Sequence, residues 1–124
     1  MAPTNRAVTI YHNPDCSTSR HAIDTLAELG VDADVVLYRK TPPDADTLRS
    51  IIAKLDVDAP TDLVRRDALF GRLELGDADV ATEEQVVATL VEHPMLLQRP
   101  LLVTDDRAFI GRPKDRVRDE FTRD

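Results

Sequence analysis

The residues with the clearest chemical potential form the stretch His12-Asn13-Pro14-Asp15-Cys16-Ser17-Thr18-Ser19-Arg20, which contains the only cysteine of the chain. An apolar run with strand character, 7–11, precedes it, and apolar residues at helical spacing follow it. The order strand, tight loop, helix places the Cys16 thiol at a helix start, where backbone N–H groups lack partners and the helix dipole is positive. A thiolate is stabilised there, so that the pKa of a cysteine can fall from about 8.5 to about 3.5–7.5. The same N–H groups receive oxyanions. This stretch therefore predicts an activated nucleophile beside a site for an anionic substrate.

The competing interpretation of Cys16 is a small buried hydrophobe, which is the usual state of a lone cysteine. Its neighbours favour a nucleophilic role instead, because residues 17–19 supply hydroxyl groups and His12 and Arg20 could add positive charge.

The composition is that of one globular domain, since 42% of the 124 residues are hydrophobic and 31% are charged. A single cysteine excludes an internal disulfide and a cysteine-cluster metal site, and three scattered histidines do not make one. We therefore expect no bound metal and a reducing compartment, the cytoplasm. No apolar run approaches the roughly 20 residues of a membrane span, and residues 1–6 do not open a signal peptide, so we expect no membrane association.

The net charge of −7 argues against nucleic-acid binding, which needs Lys and Arg to neutralise phosphates. Residues 41–97 carry 12 acids and 5 bases and so account for the whole −7, whereas the other residues carry 11 of each. An anion site must therefore be assembled locally from a few arginines.

The periodicity of the rest of the chain predicts an α/β protein. Strands are expected at 7–11, 33–38, 100–104 and 108–110, and helices at 17–29, 45–55, from 60, from 82 and at 114–121. Gly30 should end the first helix, Thr82 and Gln85 should form a capping box, and 65–71 is a turn or an irregular helix. The order β-α-β, helical block, β-β-α predicts a thioredoxin-like four-stranded mixed sheet in a single domain, with a core of about 7–40 and 98–121 and an all-helical insertion of about 41–97.

Four landmarks in this order resemble the glutaredoxin-coupled arsenate reductases over about 7–121. They are the stretch from His12 to Arg20, Leu63-Val64-Arg65-Arg66, Arg99-Pro100 and Gly111-Arg112-Pro113. The resemblance implies reduction of arsenate to arsenite without a bound cofactor, with glutathione or another low-molecular-weight thiol as co-substrate and a glutaredoxin-type protein as reductant.

The resemblance also implies the roles of individual residues. Cys16 matches the nucleophile, Arg65, Arg99 and Arg112 match the arginines that hold the oxyanion, His12 and Ser19 match residues that support the thiolate, and Pro100 matches a cis proline beside the thiol. Arg66 could take the place of Arg65, although Arg65 directly follows the apolar pair Leu63-Val64 as the family pattern does. His12 would act by carrying positive charge when protonated.

Arginines suit these roles because a guanidinium stays charged and donates two parallel hydrogen bonds to neighbouring oxygens. Without such charges, a thiolate attacking an anion meets a Coulomb repulsion of roughly 4 kcal/mol at 4 Å and an effective dielectric constant of 20.

Two other functions remain open. One is an Spx-type regulator that binds RNA polymerase, a class that usually carries Cys-x-x-Cys and needs no three-arginine site; here Cys16 is followed by Ser19, which favours the enzyme. The other is a monothiol protein that forms mixed disulfides with glutathione.

Ser17 stands where well-studied family members have glycine, which leaves open whether arsenate or another oxyanion is the substrate. A monomer is expected.

Overall fold

The computed structural model describes residues 8–122 and contains a four-stranded sheet flanked by helices. The elements are β1 (Val8–His12), α1 (Ser17–Glu28), β2 (Ala33–Leu37), α2 (Ala45–Lys54), α3 (Ala68–Arg72), α4 (Glu83–Glu92), β3 (Leu101–Val103), β4 (Ala108–Ile110) and α5 (Asp115–Thr122). Short 3₁₀ helices lie at Pro60–Leu63, Asp77–Val80 and Pro94–Leu96. Ala7, which was expected to open β1, lies outside the described residues.

The sheet is mixed, as the sequence predicted, with the strand order β2-β1-β3-β4. β1 and β2 are parallel and are connected through α1, whereas β3 is antiparallel to β1 and β4 is antiparallel to β3. In the β1–β2 register His12 lies opposite Leu37, so the carboxyl ends of the two parallel strands meet at one edge of the sheet. The loop that carries the thiol leaves from that edge.

Each face of the sheet is covered by helices, because successive strand residues point to opposite sides. Ile10 and Leu102 are buried on one face with Leu26 of α1 and Val117 of α5. The other face forms a larger core between Tyr11, Leu101 and Ile110 on the strands and apolar residues of α2, α4 and the 3₁₀ segments. The helices between β2 and β3 therefore fix one side of the sheet, and α1 and α5 fix the other.

The local signals at the helix ends are confirmed. Gly30 follows α1 with φ of 69°, a left-handed conformation that glycine adopts without strain. At the start of α4 the Thr82 hydroxyl accepts from the Gln85 N–H at 3.2 Å, and Gln85 Oε1 accepts from the Thr82 N–H at 2.9 Å. The undecided stretch 65–71 contains the start of α3, where the Asp67 carboxylate caps the helix by accepting from the Phe70 N–H at 3.2 Å.

A short backbone pairing that the sequence did not predict joins residues 63–65 to residues 96–98, which precede β3. The Arg65 N–H donates to the Leu96 carbonyl at 2.8 Å, and the Gln98 N–H donates to the Leu63 carbonyl at 2.7 Å. Val64 and Leu97 form an antiparallel bridge between them and are both buried. This pairing places Arg65 beside the residues that lead to Arg99.

No helix within residues 8–122 is both long enough and apolar enough to span a membrane.

Gly111 follows β4 at a point of close contact, which yields a stability prediction. A Cβ atom on Gly111 would lie 2.7 Å from Pro100 Cγ and 3.1 Å from atoms of Leu102 and Val117. Gly111→Ala should therefore lower the free energy of unfolding by about 1–3 kcal/mol, as overpacking does. In the matched variant Gly71→Ala the added Cβ meets no atom within 4 Å and lies in α3, so the free energy of unfolding should stay unchanged or rise by up to about 1 kcal/mol. Urea unfolding measures both, and equal effects would contradict the packing account.

Candidate active site

The loop between β1 and α1, residues 13–16, is a tight turn that presents the thiol, and it is called the Cys loop below. The Asn13 side-chain oxygen accepts from the Asp15 N–H at 2.9 Å, and the Asn13 backbone carbonyl accepts from the Cys16 N–H at 3.0 Å. Cys16 is the N-cap of α1, with extended backbone angles, and its free thiol is half-buried. The sulfur therefore lies at the positive end of a helix and remains accessible to a ligand.

His12 and Ser19 form a buried support beneath this loop. His12 Nδ1 and Ser19 Oγ share a hydrogen bond of 2.6 Å, and the Ser19 hydroxyl also accepts from the Asn13 N–H at 3.1 Å. Ser19 is fully buried and His12 nearly so. The pair fixes the first turn of α1 against the end of β1 and so fixes the direction in which the N–H groups of that turn point.

The expected charge role of His12 is not supported. Burial lowers the pKa of His12 below its usual range, and the nearby Arg20 charge lowers it further, so the ring is neutral near pH 7. Its hydrogen bond goes to Ser19 and not to the thiol. Arg20 donates to the Pro14 carbonyl at 2.7 Å and so holds the Cys loop instead of facing the sulfur. The His12 side chain therefore contacts Ser19 and makes no hydrogen bond to the thiol.

Two arginines from the far end of the chain meet at Cys16. Arg112, two residues after β4, donates from Nη2 to the Cys16 sulfur at 3.3 Å and from Nε to the Arg99 carbonyl at 2.8 Å. Arg99 precedes β3, and its buried Nε has no hydrogen-bond partner among residues 8–122. An unpaired, buried guanidinium N–H beside a cysteine is a donor suited to an anion.

The pKa of Cys16 lies below the ordinary value of a cysteine. Burial of the sulfur raises this pKa, but the Ser19 N–H, the Arg99 side chain, the Arg112 charge and the Thr18 N–H lower it by more in sum. The N–H groups belong to the first turn of α1, and the guanidinium groups come from residues more than 80 positions further along the chain. Local and distant parts of the fold thus act together on one thiolate.

Arg65 approaches this cluster through Gln98. Arg65 Nη1 donates to Gln98 Oε1 at 3.1 Å, and the same oxygen accepts from the Arg99 N–H at 3.2 Å. Arg65 Nε also donates to Asp67 at 3.3 Å. Burial raises the pKa of Asp67, but the Phe70 N–H and the charges of Arg65 and Arg99 lower it by more, so this carboxylate is ionised beside both arginines.

Arg66 is directed elsewhere. Its guanidinium donates to the carbonyls of Thr61 and Val64, and it lies over the Phe70 ring with 5.5 Å to the centroid. Between the two candidates the geometry favours Arg65, which shares Gln98 with Arg99.

The Arg99–Pro100 bond is cis, as the resemblance implied, and Arg112–Pro113 is a second cis bond that was not predicted. The Gly111 N–H donates to the Pro100 carbonyl at 2.8 Å, which brings the two arginine-bearing segments together. No group of three or more His, Cys, Asp or Glu that could hold a metal ion occurs within residues 8–122.

Sequence reasoning missed Asn13, Asp67 and Gln98. The Asn13-Pro14 pair is a turn signal that could have indicated a side-chain-capped loop. Asp67 stands three residues before Phe70 and could have been recognised as a helix cap. Nothing in the pattern around Gln98 indicates that its amide connects two arginines, because that contact depends on a pairing between distant segments.

The chain is similar to known proteins over most of its length. A model of the ArsC family matches residues 11–120. "Uncharacterized protein YfgD" of Escherichia coli K12 is 41% identical over 113 residues, or 90% of this chain and 94% of that protein. An arsenate reductase of Neisseria meningitidis serogroup A is 35% identical over 111 residues, or 89% of this chain and 94% of that protein. The solved structure of an arsenate reductase from Vibrio cholerae has a TM-score of 0.82 at 32% identity and covers 94% of this chain and 98% of its own.

The role of Arg112 at the thiol can be measured through the pKa of Cys16. Arg112→Gln removes a positive charge 3.3 Å from the sulfur, so the pKa of Cys16 should rise. Iodoacetamide reacts with the thiolate, and the midpoint of its rate against pH reports this pKa. Arg118→Gln is the matched control, because Arg118 is exposed and pairs with Glu28 at the C-terminal end of α1, away from Cys16 at its start. An unchanged midpoint in Arg112→Gln, or an equal shift in both variants, would contradict the assignment.

Proposed function

The chain belongs to the ArsC family, and from that premise we propose that it reduces arsenate to arsenite with Cys16 as the nucleophile. The observation that carries the proposal is the Cys16 sulfur at the α1 N-terminus, 3.3 Å from the Arg112 guanidinium and beside the unpaired Nε of Arg99. The nucleophile and two guanidinium groups that can donate hydrogen bonds to an anion thus lie together, and the Cys16 thiol is half-buried.

The first step joins sulfur to arsenic. The Cys16 thiolate attacks arsenic, an S–As bond forms, and one As–O bond breaks as that oxygen leaves as water after taking up protons. Arsenic stays pentavalent in this step. Arg99 and Arg112 offset the charge that thiolate and oxyanion bring together, and each guanidinium offers the fork of donors that a tetrahedral oxyanion accepts.

The second step transfers two electrons. A thiol from solution attacks the Cys16 sulfur, an S–S bond forms, and the S–As bond breaks with its electron pair on arsenic, which leaves as arsenite. A further thiol then attacks the mixed disulfide and frees Cys16. In sum two external thiols become one disulfide, while arsenic passes from the pentavalent to the trivalent state.

External thiols follow from the sequence, because Cys16 is the only cysteine and cannot form an internal disulfide. The natural assignment is glutathione or another low-molecular-weight thiol as co-substrate, with a glutaredoxin-type protein as the final reductant. A reducing compartment, the cytoplasm, supplies both. A monomer suffices, since Cys16, Arg99 and Arg112 all come from one chain.

Arg65 is proposed as the third oxyanion ligand. Its contact with Gln98 Oε1 supports this role, because that oxygen also holds the backbone N–H of Arg99. The Asp67 carboxylate offsets part of the Arg65 charge and fixes its Nε. The roles of His12 and Ser19 in supporting the thiolate, and of Pro100 in shaping the pocket beside it, belong to the same proposal.

The test of the function is arsenate-dependent NADPH oxidation in a mixture of the protein, glutathione, a glutaredoxin and glutathione reductase. Cys16→Ser should abolish the arsenate-dependent rate. A serine hydroxyl stays protonated near neutral pH, and its oxygen cannot form the disulfide through which arsenite is released. Ser17→Ala, the exposed neighbour in α1, should retain it. If the native protein gives no rate above the mixture alone, while a known arsenate reductase does, the proposal fails.

The adjacent pair Arg65 and Arg66 provides a matched test of the oxyanion site. Arg65→Gln should raise the KM for arsenate about tenfold or more, because a charged hydrogen bond contributes about 1.5–3 kcal/mol. Arg66→Gln should leave KM within about twofold and lower only the free energy of unfolding, since Arg66 bonds backbone carbonyls away from the thiol. Steady-state kinetics and urea unfolding separate the two effects. A larger KM change in Arg66→Gln than in Arg65→Gln would reverse the assignment.

A further inference from the structure

A cleft of about 510 Å³ opens next to the Cys loop and is not part of the oxyanion site. Its lining comprises His12, Pro14, Leu37, Arg39, Lys40 and Met95. Cys16, Arg99 and Arg112 are not among these residues. The volume lies within the roughly 300–1,000 Å³ of pockets that take small molecules. It is called the charged cleft below.

The position of the charged cleft is one that open α/β sheets use for ligands. His12 ends β1 and Leu37 ends β2, and these residues lie opposite each other in the parallel pairing. Ligands of such sheets bind in the crevice outside the carboxyl ends of the strands. Here the crevice continues directly into the Cys loop, because Pro14 forms part of its wall two positions before the nucleophile.

The charge of the cleft is opposite to that of the chain as a whole. The net charge of the protein is −7, yet the lining contains Arg39 and Lys40 and no carboxylate. Arg39, two residues after β2, pairs through Nη1 with Asp15 at 2.8 Å, so part of its charge is offset and Lys40 supplies the excess positive charge of the cleft. Lys40 forms no ion pair within the part of the chain that the structure describes, so its charge is available to an anion.

The remaining lining is apolar. Leu37 and Pro14 offer hydrocarbon surface, and Met95, which is 40% exposed, adds a flexible and polarisable side chain that adapts to different ligands. A small ligand that combines carboxylates with short aliphatic parts fits this mixture.

We propose that the charged cleft binds the reducing co-substrate, a low-molecular-weight thiol with carboxylate groups, with the carboxylates at Lys40 and Arg39 and the sulfur directed over Pro14 to Cys16. This inference rests on the proposed function and names a binding site for its second substrate. The bound thiol attacks the Cys16 sulfur of the arsenic adduct, the S–S bond forms, and the S–As bond breaks with its electrons on arsenic. Two anions are then held by separate sets of cations, so neither must displace the other.

Binding of glutathione in the charged cleft can be tested without arsenate by using glutathione disulfide as the probe. The Cys16 thiolate attacks one sulfur of the disulfide, forms the mixed disulfide and releases glutathione as a thiolate. Mass spectrometry of the intact protein measures this rate. Bis(2-hydroxyethyl) disulfide, which is uncharged, serves as the second probe and reports the reactivity of the thiolate itself.

Lys40→Glu should slow the reaction with glutathione disulfide about three- to fivefold, the effect expected from one exposed charge interaction of up to about 1 kcal/mol. It should leave the reaction with the uncharged disulfide within about twofold. Arg39→Gln should act in the same direction. Arg72→Glu is the matched control, because it makes the same change of net charge at an exposed position of α3 and should change neither rate. Added salt should reduce the difference between native protein and Lys40→Glu.

The outcomes discriminate clearly. Equal effects of Lys40→Glu on both disulfides, no effect on either, or an equal effect of Arg72→Glu would overturn the cleft assignment. An effect of Lys40→Glu confined to reduction of the mixed disulfide by glutaredoxin would also overturn it, in favour of a protein-docking surface. Failure of the proposed function gives another result: arsenate reduction would be absent, while the charge-dependent selectivity for glutathione disulfide would persist.

Discussion

The structure depends on one electrostatic constraint, the stabilisation of a sulfur anion in a half-buried position of an acidic protein. Burial alone raises the pKa of Cys16, and the net charge of −7 gives no general help. The compensation is therefore local: N–H groups of the first turn of α1 and the guanidinium groups of Arg99 and Arg112. Both guanidinium groups must be held close to the sulfur, since doubling a separation of about 4 Å halves their Coulomb interaction with it.

The fold meets this constraint by joining distant segments through backbone contacts. Arg112 is fixed by its bond to the Arg99 carbonyl, and the segments that carry both residues are joined where the Gly111 N–H meets the Pro100 carbonyl. A Cβ atom at position 111 would press on the Pro100 ring at 2.7 Å, so the packing at this glycine is coupled to the segment that carries Arg99. The helical segment contributes in the same way, because its backbone pairing at Val64 and Leu97 sets Arg65 beside Gln98.

The sequence was most informative where the physics is local. The period-2 and period-3.6 patterns, Gly30 and the Thr82–Gln85 box depend on neighbouring residues, and they gave the strands, the major helices and their ends. The Cys loop followed from the same reasoning. What the sequence could not supply depends on contacts between distant residues. Gln98 acts only because two segments pair there, and the neutral state of His12 depends on its burial and on Arg20. The short 3₁₀ helices at 77–80 and 94–96 lack a period that a pattern could detect.

The same constraint that shapes the thiol site explains why two cationic regions flank the Cys loop. The proposed reaction brings two anions to one sulfur in succession, and each repels the other where solvent is partly excluded. A single cluster would have to hold both anions at once, and it would leave no separate place for the second. Arg99 and Arg112 lie at the thiol, whereas Arg39 and Lys40 follow β2 and line the cleft beside Pro14 of the Cys loop. The Arg39–Asp15 pair fixes the second region to the first through the residue next to Cys16. Division of positive charge between the two sides of one loop therefore follows from the chemistry of thiolate, oxyanion and carboxylate-bearing thiol.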